Sequence, residues 1–322
     1  MSVVSSVAHV GAVPVLSRGP VHQMARRAPR CPRFRSAPGR SAVPRVSVVV
    51  PARNEARNLE VVLPAIAAAR PAVHEVIVVD GHSTDDSVAA ARRVLPWSRV
   101  ITQTRRGKGN AMACGFAAAT GEIIVMLDAD GSADPAEIPA FVAALSAGAD
   151  FAKGTRFAPG GDSDDITALR RTGNAGLNKL ANVLFATDHS DLCYGYNAFW
   201  ADLLPVLDLP DPTHPGPDMV WGDGFEIETL LTCRVAAAGL RITEVASVER
   251  RRLYGRTNLR TFADGARVLR TLIAEHRRRS RGLDEPDPFL SGSAPFGAVP
   301  LGGVPHADGE PWAVHPVAKK KW

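Results

Sequence analysis

Two kinds of apolar pattern alternate along the chain. Continuous runs such as "RVSVVVP" and "EVIVVD" are short and rich in Val and Ile. Between them Leu59, Val62, Leu63 and Ile66, and then Val88, Ala91, Val94 and Leu95, recur at helical spacing. This βαβα order predicts an α/β fold, and strands apolar throughout their length, such as Val48 to Val50 and Ile77 to Val79, suit a mostly parallel sheet covered by helices on both faces. A third strand is expected near "RVITQT", followed by a helix from about Asn110 to Ala119; "EIIVMLD" is the fourth, followed by a helix from about Pro135 to Ser146, and "DFAKGTRF" is the fifth. Pro64 is expected to kink or split the first helix. Beyond residue 165 the pattern becomes helical, with one stripe at Leu177, Leu180 and Leu184, another at Ile227, Leu230, Leu231 and Val235, and a third at Leu259, Phe262, Ala266, Leu269 and Ile273.

Both ends lack such periodicity. Residues 1–44 and 281–322 mix Pro, Gly, Ser and Ala, which predicts an Arg-rich disordered arm, a folded domain over 45–280 and a disordered tail. The formal charge is +5, yet residues 1–45 hold eight arginines and no acid, leaving about −3 for the remainder. A basic patch confined to such an arm suits a solvated tail or a membrane-surface anchor better than a nucleic-acid reader, with an organellar transit peptide as a further alternative. Cys31, Cys114, Cys193 and Cys233 form no CxxC pair, so neither a zinc site nor a disulfide framework is expected, and a reducing cytosol fits. No basic segment leads into a continuous apolar run and no apolar run reaches the length of a span, which predicts a cytoplasmic protein, soluble or peripheral at the inner face of a membrane.

In parallel α/β sheets ligands bind beyond the carboxyl ends of the strands. Three of these ends are unusual here: "PARNE" after the first strand, "DGHSTDDS" after the second and "DADGS" after the fourth. Asp128 and Asp130 lie two apart, so in extended chain both carboxylates point one way. Such a pair repels unless a cation lies between or beside it, which suits Mg²⁺ or Mn²⁺ carrying a diphosphate. The plainer reading is that Asp128 ends the strand and Asp130 opens a turn with Gly131. Ser83 and Asp86 resemble a helix capping box. "RRGKGN" places Lys108 between two glycines before a helix, which would let backbone N–H groups and the ammonium approach an anion. The pattern is neither GxGxxG nor GxxxxGK[ST], so it points to a nucleoside diphosphate held by metal and lysine.

These motifs, from about Arg45 to Arg279, resemble family 2 glycosyltransferases of the GT-A fold, and most of all the branch that makes dolichyl- or polyprenyl-phosphate mannose and glucose. The resemblance implies a Rossmann-like sheet with a helical acceptor-side extension. It implies that Pro51, Ala52, Arg53 and Glu55, with Asp80, hold the donor nucleoside, and that Asp128 and Asp130 bind the metal and the donor diphosphate. "KGTRF" brings Arg156, "LRRTGNAGLNKLAN" brings Arg170 or Arg171, "SDLCYGYNAFW" brings Asp191, and "RRLYGRTNL" brings Arg252 to the acceptor side. Relative to the family pattern Gly81 stands for a second Asp, Ser132 for Gln, Asn197 for Arg, Thr257 for Ser and Asn258 for Lys, and Arg256 is positioned to replace one lost cation.

The implied activity is inverting hexosyl transfer from GDP-mannose or a UDP-sugar to a polyprenyl phosphate, with Lys108 on the departing diphosphate and Arg156, Arg171 and Arg252 on the acceptor. Two alternatives remain open at this point. A hydroxyl acceptor would need a base, for which "WGDGFEIE" offers Asp223, Glu226 and Glu228, at least one glutamate of which is expected on a solvated helix face. A catalytically weak nucleotide-sugar-binding subunit is the other. Basic clusters at "ERRRLYGR" and "HRRRSR" suit anionic headgroups, and a membrane-anchoring partner is a further expectation.

Overall fold

A computed structural model describes residues 39–256 and 261–281. Val46–Ala52 forms β1, followed by α1 (Ala56–Ala68), β2 (Glu75–Asp80), α2 (Ser87–Val94) and β3 (Arg99–Thr102). Next come α3 (Lys108–Ala118), β4 (Ile123–Met126), a 3₁₀ turn leading into α4 (Ile138–Ser146), and β5 (Phe151–Thr155). The later half holds β6 (Asp162–Ser163), α5 (Ala168–Phe185), β7 (Asn197–Trp200), α6 (Leu204–Leu207), α7 (Ile227–Ala237), β8 (Ile242–Ala246), β9 (Val248–Glu249) and α8 (Thr261–Arg281). The expected α/β order is present, and α1 runs through Pro64 as one helix rather than two.

The main sheet has seven strands in the order β3-β2-β1-β4-β7-β5-β8. β3, β2, β1 and β4 are mutually parallel, β7 is antiparallel to both β4 and β5, and β8 is parallel to β5. The chain moves outward from β1 to β2 and β3 and then returns to place β4 on the other side of β1. The carboxyl ends of β1 and β4 therefore flank the point where the winding reverses, which is where an open α/β sheet has its crevice. β7 was not legible in the sequence: its four residues, Asn197–Trp200, follow an irregular stretch and carry no turn signal of their own.

Val48, Val49, Val50, Ile77, Val79, Ile124 and Val125 are fully enclosed, as strands covered on both faces require. A second, smaller core lies among α5, α7 and α8, where Phe185, Leu192, Cys233, Val268 and Leu272 meet. The third apolar stripe does not serve that core. Phe262, Leu269 and Ile273 are exposed and the buried side of α8 carries Val268, Thr271 and Leu272 instead, while Leu259 lies outside the described residues.

The expected arm and tail fall almost wholly outside the described residues. Arg40, assigned to the arm by composition, is part of the folded body: it pairs with Asp150 at 2.9 Å and Asp202 at 3.0 Å and lies over the Trp200 ring. Cys114, Cys193 and Cys233 are free thiols. Among the described residues no helix is long and apolar enough to cross a membrane.

Candidate functional site

The crevice is built where β1 and β4 end. Beyond β1, Asn54 takes a left-handed φ of 57°, turning the chain so that Glu55 points inward at the start of α1. The turn is held from β2's loop: Asn54 N–H donates to Ser83 Oγ at 3.0 Å, Glu55 N–H to Ser87 Oγ at 2.8 Å, and Thr84 N–H to Asn54 Oδ1 at 2.8 Å. The expected capping box is therefore not formed, because the Ser83 hydroxyl is used to bind the neighbouring loop. Asp80 is buried and accepts the Ser83 N–H at 3.3 Å. Gly81, in place of the family's second Asp, lies where a Cβ would stand 3.0 Å from Arg53 Cβ and 3.3 Å from Ala52 O, so the close passage of the two loops disfavours any side chain. Pro51 and Ala52 complete β1, and Arg53 is exposed beside them.

Beyond β4 the acid pair forms the expected turn and also leaves carboxylate oxygen facing the crevice. Asp130 turns the chain, accepting Ser132 N–H at 3.0 Å, and also presents Oδ2 to the crevice with Arg252 Nε 3.9 Å away. The chain after β9 is tied along this turn by Arg250 N–H to Ser132 O at 2.8 Å and Leu253 N–H to Asp130 O at 3.0 Å. These bonds bring Arg252 to the site, where it also bonds Glu55 at 2.8 Å. Burial raises the Glu55 pKa first of all; Asn58 and Arg252 pull it back, while Asp130 and Asp128 push it further up.

Asp128 meets Lys108 Nζ at 2.7 Å, and the same ammonium meets Glu228 Oε1 at 2.7 Å. Desolvation is the largest effect raising the Asp128 pKa; Lys108 opposes it, and Asp130 and Glu228 add to it. For Lys108, burial alone would lower the pKa, but the two carboxylates more than compensate and hold it charged. The glycines around Lys108 have a different purpose from the one expected. A Cβ at Gly107 would lie 2.0 Å from Asp223 O, and one at Gly109 1.8 Å from Gly222 O. The Gly109 and Asn110 N–H groups already donate to Asp223 O, at 2.7 and 3.3 Å, so the helix end serves this loop.

Of the three acids offered as bases, Asp223 and Glu228 are held by cations, while Glu226 accepts through Oε1 and leaves Oε2 buried without a hydrogen-bond partner. Asp223 is buried against Arg105 with bonds of 2.8 and 3.0 Å. Glu226 Oε1 accepts the N–H groups of Gly222 and Gly224 at 3.1 and 3.2 Å, and Glu228 holds Lys108. Neither glutamate lies on a solvated face; both are buried.

On the other side, Arg156 at the end of β5 is only 4% exposed. Its Nε and Nη2 bond Asp191 at 2.7 and 2.9 Å and its Nη1 bonds Glu249 at 2.9 Å. Asp191 also accepts Asn174 Nδ2 at 3.1 Å, so one network joins β5, α5 and β9. Arg171 is exposed, with its guanidinium 5.5 Å from the Phe157 ring, and borders a groove of about 550 Å³ along α5 that includes Lys179, Asn178, Ala175 and Val183. Arg170 pairs with Asp165 at 3.1 Å. Thr257 and Asn258 lie outside the described residues.

Lys153 escaped the sequence reading, although a lysine within an otherwise apolar strand is a visible signal. It is fully buried in β5, directly across from Asn197 in β7, and both side chains reach Tyr194 O, at 3.5 and 3.2 Å. Burial depresses the Lys153 pKa, opposed by Asp191 and Glu244. The cation missing at position 197 relative to the family pattern thus has a counterpart on the adjacent strand.

A mostly parallel seven-stranded sheet flanked by helices, with its crevice at the switch point, is the α/β fold known as GT-A. The chain belongs to the Glycosyl transferase family 2, whose family model matches residues 47–206. It is 43% identical over 111 residues to an uncharacterized glycosyltransferase of Mycobacterium tuberculosis, a stretch covering 34% of this chain and 48% of that protein, so the chain spans about half the length of that relative. It is 30% identical over 209 residues to the polyprenol monophosphomannose synthase of Mycolicibacterium smegmatis, covering 62% of this chain and 76% of that one. Among solved structures, glucosyl-3-phosphoglycerate synthase from Mycobacterium tuberculosis superimposes with a TM-score of 0.55 at 25% identity, covering 79% of this chain and 88% of that one.

Proposed function

We propose that the protein is an inverting hexosyltransferase that moves a sugar from a nucleotide sugar to a polyprenyl phosphate. The observation that carries this reading is the gathering of Asp128, Asp130 and Glu55 with Lys108 and Arg252 at the switch point, a corner with hard oxygen donors and two cations already in place. Asp130, whose Oδ2 faces the crevice, and Asp128, whose pKa is raised partly by Asp130, fit Mg²⁺ or Mn²⁺. When bound, the ion supplies positive charge at the leaving diphosphate. The similar glucosyl-3-phosphoglycerate synthase was crystallised with Mn²⁺ and uridine diphosphate, which supports the same donor chemistry here.

Pro51, Ala52, Arg53 and Asp80 lie beside the nucleoside's place in this reading, and Lys108 moves from Asp128 toward the diphosphate, remaining anchored by Glu228. Arg252 holds Glu55 in place and stands ready to meet the acceptor phosphate across the crevice. Arg156, enclosed by Asp191 and Glu249, is a strut that shapes this wall rather than a phosphate ligand. Arg171 and Lys179, set beside Phe157, Ala175 and Val183, give the groove an anionic and an apolar preference together, as an amphiphile with a charged head requires.

A phosphate acceptor has its second ionisation near pH 6, so much of it is already nucleophilic at neutral pH and needs no base. The pairing of Asp223 with Arg105 and of Glu228 with Lys108 favours this acceptor over a hydroxyl. The relation to polyprenol monophosphomannose synthase points the same way. A second reading, transfer to a hydroxyl, draws on the likeness to glucosyl-3-phosphoglycerate synthase.

Incubation with labelled GDP-mannose, UDP-glucose and related donors, divalent metal and polyprenyl phosphate, followed by organic extraction, tests the choice. Label in the lipid phase is the expected result. Label confined to a water-soluble product would transfer the proposal to the hydroxyl reading, and binding without turnover would reduce the protein to a nucleotide-sugar-binding subunit.

A further inference from the structure

Helix α8 sorts its side chains in a way that core packing does not explain. Its two acids face inward: Asp264 is 7% exposed, and Glu275 is 4% exposed and pairs with Arg234 at 3.0 Å. The outward face has Phe262, 80% exposed, with Leu269 and Ile273 each 41% exposed. Ala266 continues this stripe, and the spacing 262, 266, 269, 273 is one helical face. Arg270, Arg277 and Arg281 are exposed along its flank. The face continues onto the loop before α7, because Arg270 lies 5.3 Å from the Trp221 ring and Met219 and Val220 beside it are also exposed. Met219 in turn borders Gly107, next to Lys108, so the surface is continuous with the donor corner.

We propose that this face, α8 from Phe262 to Arg281 together with Met219–Trp221, docks on the surface of an anionic lipid bilayer. A narrow apolar stripe flanked by arginines, with no acid on the same side, is the arrangement of a helix that lies in the headgroup layer, where apolar insertion and charge attraction add. A Trp and a Met at the margin fit the same depth. The stripe's three large side chains offer roughly 300 Å² of apolar surface, well short of the ~800 Å² that each partner of a stable protein complex buries. The arginines along α8 outnumber the exposed Asp218 at the margin of the face; this excess positive charge matches phospholipid headgroups and would repel a second copy of the same face. The inference rests on the lipid-acceptor reading only for its purpose: docking would place the crevice where a polyprenyl phosphate is presented.

The test uses the full chain and sedimentation with vesicles of phosphatidylcholine alone or mixed with phosphatidylglycerol, free of polyprenyl phosphate and nucleotide sugar. The protein is expected to partition onto the mixed vesicles, to be released by high salt and to ignore the neutral ones. Two double variants, Leu269→Ser with Ile273→Ser, and Arg277→Glu with Arg281→Glu, alter exposed side chains and are expected to keep the circular dichroism spectrum while partitioning at least about tenfold more weakly. Partitioning by both variants equal to that of the unsubstituted chain would overturn the assignment and place membrane binding elsewhere, as would no binding to mixed vesicles at low salt. Self-association in the absence of vesicles that the apolar variant abolishes would give the face to a second copy instead. Because the vesicles hold no acceptor, these outcomes are separate from success or failure of the labelling assay.

Discussion

Lys108 with Asp128 and Arg156 with Asp191 are both close pairs of a base and an acid at strand ends, but they differ in how far water reaches them. Asp128 and Asp130 keep 32% and 26% of their side-chain surface exposed, whereas Arg156 and Asp191 keep 4% and 0%. Around the first pair the acids Asp128, Asp130, Glu55 and Glu228 outnumber the cations Lys108 and Arg252, and the Asp128 and Glu55 pKa values are raised by desolvation first and by neighbouring carboxylates as well. In the second, each of the three guanidinium nitrogens donates to a carboxylate. An open, incompletely compensated corner can accept a ligand, while a closed, satisfied network holds shape. The same residue types thus make an open corner on one side of β4 and a closed network on the other.

That contrast is sharpest when each pair is cut. Arg156→Ala leaves Asp191 buried without its main partner and is expected to lose about 3–5 kcal/mol of stability, read by denaturant unfolding; a loss below about 1 kcal/mol would make Arg156 a ligand-facing residue after all. Asp130→Ala should do the reverse, lowering turnover by on the order of a hundredfold or more with little change in unfolding. Full activity of that variant would remove the metal from Asp130.

The closed side also carries a proton-linked effect. His189 is buried with Nε2 unpartnered, and burial together with Lys153 lowers its pKa to about 4. The folded value is depressed, so between roughly pH 6.5 and 4 the unfolded chain binds the extra proton and stability falls with pH. From pH 7 to pH 5 this amounts to about 2 kcal/mol, and His189→Gln should flatten that part of the stability profile relative to the unsubstituted protein. An identical slope would show that His189 does not titrate in this way. Arg171→Ala, on the exposed rim of the α5 groove, is expected to leave stability within about 0.5 kcal/mol and to raise the KM for the acceptor severalfold. An unchanged KM would detach the groove from acceptor binding.

The corner beyond β1 and β4 was legible because its parts are local. Strands β1, β2 and β4 are unbroken apolar runs that stop at Pro51–Glu55, Asp80 and Asp128, and the sheet's winding brings those stops together. What the sequence concealed depends on distant partners. Glu228 reaches Lys108 from α7, Glu249 reaches Arg156 from β9, and the backbone of Gly222 and Asp223 explains the glycines beside Lys108. The direction of the α8 stripe was hidden for a related reason. Val268, Thr271 and Leu272 form an equally helical row, and packing against α5 and α7 selects which row is buried. Strand β7 is short, and its reversed direction follows only from where β4 and β5 leave space.

In the proposed function the acids beyond β4 hold a divalent cation for a nucleotide's diphosphate. Calorimetric titration of Mn²⁺ into the protein, with and without GDP or UDP, measures this directly. The account predicts saturable Mn²⁺ binding that tightens with the nucleotide and disappears in Asp130→Ala, with the variant's unfolding transition unchanged. Equal Mn²⁺ and nucleotide affinity in the folded variant would contradict it.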